Sequence, residues 1–530
     1  QTTLNKSKMI VAKFVSKNPN SSQKSSKSSK TSSSKPPTSS KSSSSKAFSS
    51  SKSSSSVSSQ QAQNEDGKTI LALVDETVLP NLKNELENYT RDVKKELGLD
   101  IFIKSVSSNE NIYTLKSYVL DFYKKGNLNG VLLIGNIPTG YFYHPDTPTG
   151  VFTSEGLVLG DFIYQDFLNA CEFSTEHNAF SYKKVECQVG TTIQPYWVAR
   201  LTPNSSNRLM AELLKDYFKR NHEFRDGLYA FEQKALLYQP VILDYKGIEQ
   251  ETINKIKKDL NSFGGLYSLT NYKFVDIFSS ASDSDYLSEI SKGYEVLIFN
   301  GHGAPLFHQK NITPKSQINA KFFFGNFLSC SVGRFTTKDY LAGEYLFSNG
   351  LVSLAASVPV FASSDFDAEF HVMLANGVPF YKAIEFNGIG SNILGDPTLK
   401  MRYNQPTLSQ SKIKISANQL VFSKNNPTHE FTIENISGSP LYFGVRGKYL
   451  KQKNSSQLIS FTSGYDANAK ITESGEYLLE PYKKTVVNIP SENFFPYGEI
   501  STGTYKGKYF IVSSDAKNPV VTIDLSFIEK

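Results

Sequence analysis

Between residues 69 and 135 the apolar positions fall into three short runs separated by two periodic segments. Thr69–Val74 (TILALV), Ile101–Val106 and Gly130–Gly135 (GVLLIG) read as strands. Asn81–Leu97 carries Leu82, Leu86, Tyr89, Val93 and Leu97 at three- and four-residue spacing, the period of an amphipathic helix, and Thr114–Lys125 reads as a second one. Strands this continuously apolar, alternating with helices, predict a parallel sheet covered on both faces. A turn-rich insert follows, containing Gly160–Phe167 and Tyr196–Leu201. The alternation then resumes, with strands at Ala235–Leu243, Tyr272–Ile277, Tyr294–Phe299, Lys321–Leu328 and Gly350–Ala355. Helices are expected at Gln250–Phe263 and Leu341–Phe347. Beyond Gln405 the period changes to two. Phe431 and Ile433, then Leu441, Phe443 and Val445, then Val521, Ile523, Leu525 and Phe527 alternate with polar neighbours, which predicts an all-β sandwich of immunoglobulin type.

These patterns divide the 530 residues into a tail at 1–67, an α/β region in two parts at 68–230 and 231–404, and the sandwich at 405–530. The tail differs in kind. Asn18–Ser59 holds 24 serines in 42 residues and buries too little apolar surface to order itself, so it reads as a disordered tether. Its charge also corrects a first impression. The chain carries a net +7, but residues 1–68 alone hold 12 lysines against Glu65 and Asp66, a balance of +10. The other 462 residues carry 45 basic and 48 acidic side chains, a balance of −3, which argues against a nucleic-acid partner. The basic tail suits an anionic cell-wall or surface polymer. Apolar runs such as Val131–Ile134 are far shorter than the ~20 residues of a membrane span, so no membrane crossing is expected. Three cysteines, Cys171, Cys187 and Cys330, are too few for a disulfide scaffold. A Cys171–Cys187 bridge would leave Cys330 as the odd thiol.

Two strand ends carry the chemistry. Ile298-Phe299-Asn300-Gly301-His302-Gly303 sets a histidine between glycines directly after an apolar strand. Asn326-Phe327-Leu328-Ser329-Cys330 sets the odd cysteine directly after another. Ligands of open parallel sheets bind outside the carboxyl ends of strands, so His302 and Cys330 converge if these strands are neighbours. An imidazole beside a thiol favours the nucleophilic thiolate, and the backbone N–H groups of Gly303 and Cys330 are suited to receive an oxyanion. Other polar residues read more plainly: His308 as a loop residue, Asp365 and Asp367 as a solvated turn, and Asp396 with Pro397 as a turn closing the α/β region. His371 falls in an expected helix with no partner in view.

The elements Gly301-His302-Gly303, Leu328-Ser329-Cys330, Leu341-Ala342-Gly343-Glu344 and Leu394-Gly395-Asp396-Pro397 together resemble the gingipain-type cysteine peptidases. Val131-Leu132-Leu133-Ile134-Gly135, Ile137-Pro138 and Val198-Ala199-Arg200-Leu201 extend the resemblance over about residues 69–402. The resemblance implies a caspase-like fold followed by an immunoglobulin-like domain. It implies Cys330 as nucleophile, His302 as general base and acid, and Gly303 as an oxyanion donor. An acidic residue choosing a basic side chain in the substrate would come from Asp244, Glu249 or Glu251. The family's acid that orients the histidine falls where Gln239-Pro240 stands here. No cofactor is required for such chemistry. Structural calcium is a family property, with Asp161 and Asp166 as candidate ligands.

The function expected is that of a secreted or surface-held cysteine endopeptidase acting on protein or peptide substrates. The rival expectation, prompted by Gln239-Pro240, is a catalytically silent relative serving as a surface adhesin or structural protein. A third is an enzyme that removes its own lysine-rich tail.

Overall fold

The structure is a computed structural model. It describes residues 68–143, 157–165, 171–174, 179–182, 196–238, 275–276, 283–308, 312–316, 318–357, 374, 377–384 and 391–401, and stretches between 412 and 529. The chain divides into two units, Gln1–Ala62 and Gln63–Lys530, of which the first lies outside the described residues. The second is α/β in class, with one large, mostly parallel sheet and several smaller sheets.

The first strands and helices follow the hydrophobic pattern closely. They are β1 (Thr69–Asp75), α1 (Lys83–Leu97), β2 (Asp100–Val106), α2 (Ile112–Lys124) and β3 (Leu128–Ile134). The expected start of α1 at Asn81 moves to Lys83, because Leu79–Leu82, with Pro80, forms a separate tight turn. Gly98, at φ 72°, ends α1 by donating its N–H to Lys94 O, a left-handed cap that costs glycine little. Side chains alternate across β1: Ile70, Ala72 and Val74 pack with α1, whereas Leu71 and Leu73 pack with Leu115 and Val119 of α2. The sheet is thus covered on both faces here. β2 departs from that picture: it is the outermost strand, and Phe102 and Ile103 are exposed.

The turn-rich insert forms a small four-stranded sheet from β4 (Gly140–Tyr143), β5 (Leu157–Gly160), β6 (Cys171–Ser174) and β7 (Ala179–Tyr182). The chain then enters β8 (Trp197–Leu201), α3 (Met210–Arg225), β9 (Glu232–Tyr238), β10 (Val275–Asp276), α4 (Asp283–Ile290) and β11 (Tyr294–Asn300). A short hairpin of β12 (Gly303–Ala304) and β13 (Phe307–His308) precedes β14 (Lys321–Leu328), α5 (Leu341–Asn349), β15 (Gly350–Ala356), α6 (Phe380–Ile384) and β16 (Ser391–Gly395). Of the strand expected at Ala235–Leu243, residues 239–243 lie outside the described residues, as does the helix expected at Gln250–Phe263.

The ten strands of the large sheet run in the order β10-β9-β11-β14-β15-β16-β8-β3-β1-β2. Every neighbouring pair is parallel except β15 and β16. That single antiparallel step reverses the sheet. The carboxyl ends of β9, β11, β14 and β15 lie on one edge, and those of β1, β3 and β8 on the other.

The turn expected at Asp396 proves to be the centre of a buried network. Its carboxylate, fully buried just after β16, accepts five hydrogen bonds. Tyr89 Oη (2.9 Å), Thr398 N (2.9 Å) and Thr398 Oγ1 (2.7 Å) reach Oδ1. Asn221 Nδ2 and Arg225 Nη2, each at 2.7 Å, reach Oδ2. Arg225 also pairs with Glu96, so one buried charge cluster joins α1, α3 and the chain after β16. A carboxylate can be held in such a place only when charge and hydrogen bonds replace lost water.

Beyond 411 two sheets share one apolar core. Ile413–Ile415, Thr428–Asn435 and Lys484–Pro490 form an antiparallel three-stranded sheet. Gly503–Ser513 and Val520–Glu529 pair antiparallel at the centre of a larger one. Phe431 and Ile433 of the first sheet meet Phe443, Val445, Ile523 and Leu525 of the second in that core.

Arg225→Met should destabilise the protein by about 3–5 kcal/mol, because it strips Asp396 of its buried counter-charge. Urea denaturation followed through Trp197, the only tryptophan and a buried one, reads the change. A loss below about 1 kcal/mol would mean that neutral hydrogen bonds alone hold the carboxylate.

Candidate functional site

The condition left open by the sequence, whether the two chemistry-bearing strands are neighbours, is met. β11 pairs directly with β14 in parallel, with Asn300 opposite Leu328. Gly301 N donates to Leu328 O at 3.2 Å, continuing the ladder one step past the strand. His302 follows Asn300 by two residues and Cys330 follows Leu328 by two, so both leave the same edge of the sheet on adjacent strands. His302 is exposed and Cys330 is a half-buried thiol.

Glycine at 303 is a steric requirement. A Cβ there would lie 2.1 Å from Ser329 Oγ and 2.9 Å from Val332 Cγ1. The backbone after His302 therefore rests directly on the turn that carries Cys330. That turn is itself unusual. Ser329 N donates to Phe327 O (2.9 Å), Ser331 takes φ 57°, and Arg334 N returns to Ser331 O (3.0 Å). A non-glycine residue in this region stores backbone strain, and such strain persists where surrounding structure fixes it. The surroundings do so: Gly333 N donates to Ala356 O at 2.8 Å, pinning the turn against β15.

Helix α5 ties the two loops together. The first amides of a helix have no partner within it. Here Leu341 N donates to Pro305 O (2.7 Å), in the hairpin after His302, and Ala342 N donates to Val332 O (3.1 Å), after Cys330. Glu344 follows in the first turn. Burial, and then the nearby Asp339 charge, raise its carboxyl above the usual carboxylate range, against a hydrogen bond from Ser205 that lowers it.

His308 differs from its expected role as a loop residue. It lies on β13 directly opposite Gly303 and is wholly buried. Its ring stacks on Phe299 with centroids 3.7 Å apart, and Phe327 and Tyr345 close around it. Neither ring nitrogen has a hydrogen-bond partner among the described residues. Burial pulls the imidazole down to about 3, so it stays neutral near pH 7. Phe299 lies three residues before His302, so the stack closes the base of the hairpin that carries His302 and Gly303. No local sequence signal marks this burial, since the adjacent Leu306 and Phe307 are themselves exposed.

The remaining candidates separate. Asp161 is committed to a guanidinium: Arg200 Nε and Nη2 reach its two oxygens at 2.8 and 2.6 Å, and Thr139 Oγ1 donates at 3.0 Å. Those oxygens already neutralise a buried cation, so the donor set does not fit calcium, and Asp166 lies outside the described residues. Arg200 also lies over the Phe335 ring, 4.3 Å from its centroid, and Asn204 Nδ2 donates to Phe335 O (3.2 Å). The end of β8 thereby braces the loop beyond Cys330. Among the described residues no three His, Cys, Asp or Glu side chains form a metal-binding group. Asp244, Glu249 and Glu251 lie outside the described residues, as do Gln239-Pro240, Asp365, Asp367, His371 and Cys187. No described helix is long and apolar enough to cross a membrane.

No protein-family model matches the chain, and no curated protein does. Among solved structures, the PapD-like domain 7 of human CEP192 aligns at 14% identity over 25% of this chain and 96% of its own, with a TM-score of 0.17. The periplasmic chaperone SfaE aligns at 10% identity over 22% of this chain and 57% of its own, TM-score 0.15. The E. coli chaperone DraB gives 10%, 22%, 54% and 0.15 for the same quantities. The chain thus spans little more than half the length of these two chaperones, and likenesses so slight carry no argument.

His308 yields a pH prediction with a definite sign. Its folded-state pKa lies below the ordinary 6.5, so its burial stabilises above about pH 6.5 and that contribution is lost as pH falls toward 3. Between pH 7 and pH 5 the wild type should lose about 2 kcal/mol that His308→Phe retains. Parallel urea-denaturation curves at the two pH values measure this, and equal losses in both proteins would refute it.

Proposed function

We propose that the chain is a cysteine endopeptidase of gingipain type, with Cys330 as nucleophile and His302 as general base and acid. One observation supports the reading above the others: both residues follow adjacent parallel strands at the same sheet edge, with the Gly303 backbone resting on the cysteine turn. His302 takes the thiol proton, and the thiolate attacks the scissile carbonyl carbon. The carbonyl electrons move to oxygen, which the N–H groups of Gly303 and Cys330 stabilise. Collapse of the tetrahedral species breaks the C–N bond, and the imidazolium protonates the departing amine. Water, deprotonated by His302, then hydrolyses the Cys330 thioester and restores the thiol.

The exposed position of His302 suits a residue that must meet a polypeptide substrate. β9 lies beside β11, with Tyr238 opposite Phe299. The same proposal assigns one of Asp244, Glu249 and Glu251 as the group that selects a basic substrate side chain. A secreted or surface-held location belongs to the same proposal, with the serine- and lysine-rich tail as a tether to an anionic surface polymer.

A peptide library at neutral pH, with reductant and calcium present, tests the reading. Wild type should cleave it, and Cys330→Ala should lose about 10³-fold or more of kcat. Gly303→Ala should lower kcat about 10²-fold, because its methyl displaces an oxyanion donor from the cysteine turn. Turnover that survives Cys330→Ala would overturn the proposal. So would the absence of cleavage combined with no alkylation of Cys330, which would favour the silent adhesin.

A further inference from the structure

β2 ends the ten-stranded sheet on one side, and no strand pairs with its outer edge among the described residues. Natural sheets usually blunt such an edge with prolines, bulges or several charges. This strand has no proline and no bulge, and its only charges are Asp100 and Lys104. Its seven residues, DIFIKSV, hold an unbroken register with β1 from Asp100 to Val106. Phe102 is 47% exposed and Ile103 36%. Phe102 extends an aromatic group with Phe122 and Tyr118 of α2, and Lys104 Nζ lies over the Tyr118 ring.

The outward hydrogen-bonding positions can be assigned. Asp100 N donates to Lys68 O, and Val106 O accepts from Glu76 N, so the even-numbered residues of β2 direct their backbone groups toward the sheet. By alternation Ile101, Ile103 and Ser105 direct theirs away from it. The segment Asp100-Ile101-Phe102-Ile103-Lys104 is also complementary to itself when reversed. An antiparallel copy centred on Phe102 sets Asp100 opposite Lys104, Ile101 opposite Ile103 and Phe102 opposite Phe102. In that register Ile101 and Ile103 are hydrogen-bonded pairs, and the Phe102 and Asp100/Lys104 pairs fall at the non-hydrogen-bonded sites where side chains approach closest. Backbone parity and side-chain charge agree on one register. The existing Lys94–Asp100 ion pair is no obstacle, since both side chains are more than half exposed and such pairs contribute little.

We propose that the chain forms a two-fold symmetric homodimer by antiparallel pairing of β2 with β2 of a second copy, making one continuous sheet of twenty strands. The occupant of the edge is a second copy because the edge is charge-complementary to itself. The contact is a single strand pair with an aromatic flank, so its dissociation constant falls in about the micromolar range.

Sedimentation of the full chain up to about 100 μM tests this. Wild type should show a monomer–dimer equilibrium. Ile103→Pro removes an outward N–H without touching the β1 ladder and should abolish the dimer. Asp100→Lys and Lys104→Asp should each weaken it about tenfold or more by opposing like charges. An equimolar mixture of these two variants should recover association, because each copy then presents the complement of the other. Trp197 fluorescence confirms that each variant is folded. A wild type monomeric throughout would overturn the proposal, as would a dimer indifferent to Ile103→Pro or a mixture that associates no better than its components.

Discussion

The parallel ladder between β11 and β14 is the constraint on which the candidate site depends. Its register, Asn300 against Leu328, delivers His302 and Cys330 to one edge at equal distance from the last paired residues. A slip of one residue would turn one of the two loops toward the opposite face. Both strands are buried on both faces, with Val296, Ile298, Phe322, Phe324 and Phe327 in the core. The geometry of the candidate site thus rests on two strands packed in the core, and the loops need only preserve it.

That preservation uses backbone contacts more than side chains. Gly303 lies against Ser329, α5 gives its first two free amides to the two loops, and Gly333 is bonded to β15. The strained Ser331 sits within this frame, directly after the thiol. A turn so held fixes the backbone that carries Cys330, as the proposed nucleophilic role would need. His308 adds a buried aromatic brace at the base of the neighbouring hairpin. Its imidazole forgoes hydrogen bonds that water would supply, a cost offset by stacking on Phe299.

The antiparallel step between β15 and β16 gives the two halves of the sheet different tasks. The β9–β15 half opens toward the candidate site. In the other half, the carboxyl ends of β1, β3 and β8 are closed by internal bonds: Asp75 receives Asn136 N, and Arg200 spans Asp161, Ile137 O and Thr202. These bonds make that edge a brace, whereas the candidate site lies at the other. The buried Asp396 cluster holds the halves together through α1 and α3.

Local pattern alone determined β1, β3, β11, β14 and β15, the helices α1, α2 and α5, the period-two region and the two strand ends bearing His302 and Cys330, whereas α3 and α4 were not read from it. Apolar spacing is a property of neighbouring residues, and glycine beside histidine marks a backbone that must come close to something. What it came close to was decided only in three dimensions. The adjacency of β11 and β14 depends on non-local burial, and so does the reversal at β15–β16, because a strand's own residues do not say whether its neighbour runs parallel or antiparallel to it. His308 and Asp396 show the same limit. One is polar by type yet packed as an aromatic, and the other looks like a turn former yet collects five donors from elements up to 307 residues away. The fate of a polar side chain depends on whether distant groups replace its lost water, and only the folded chain brings those groups together.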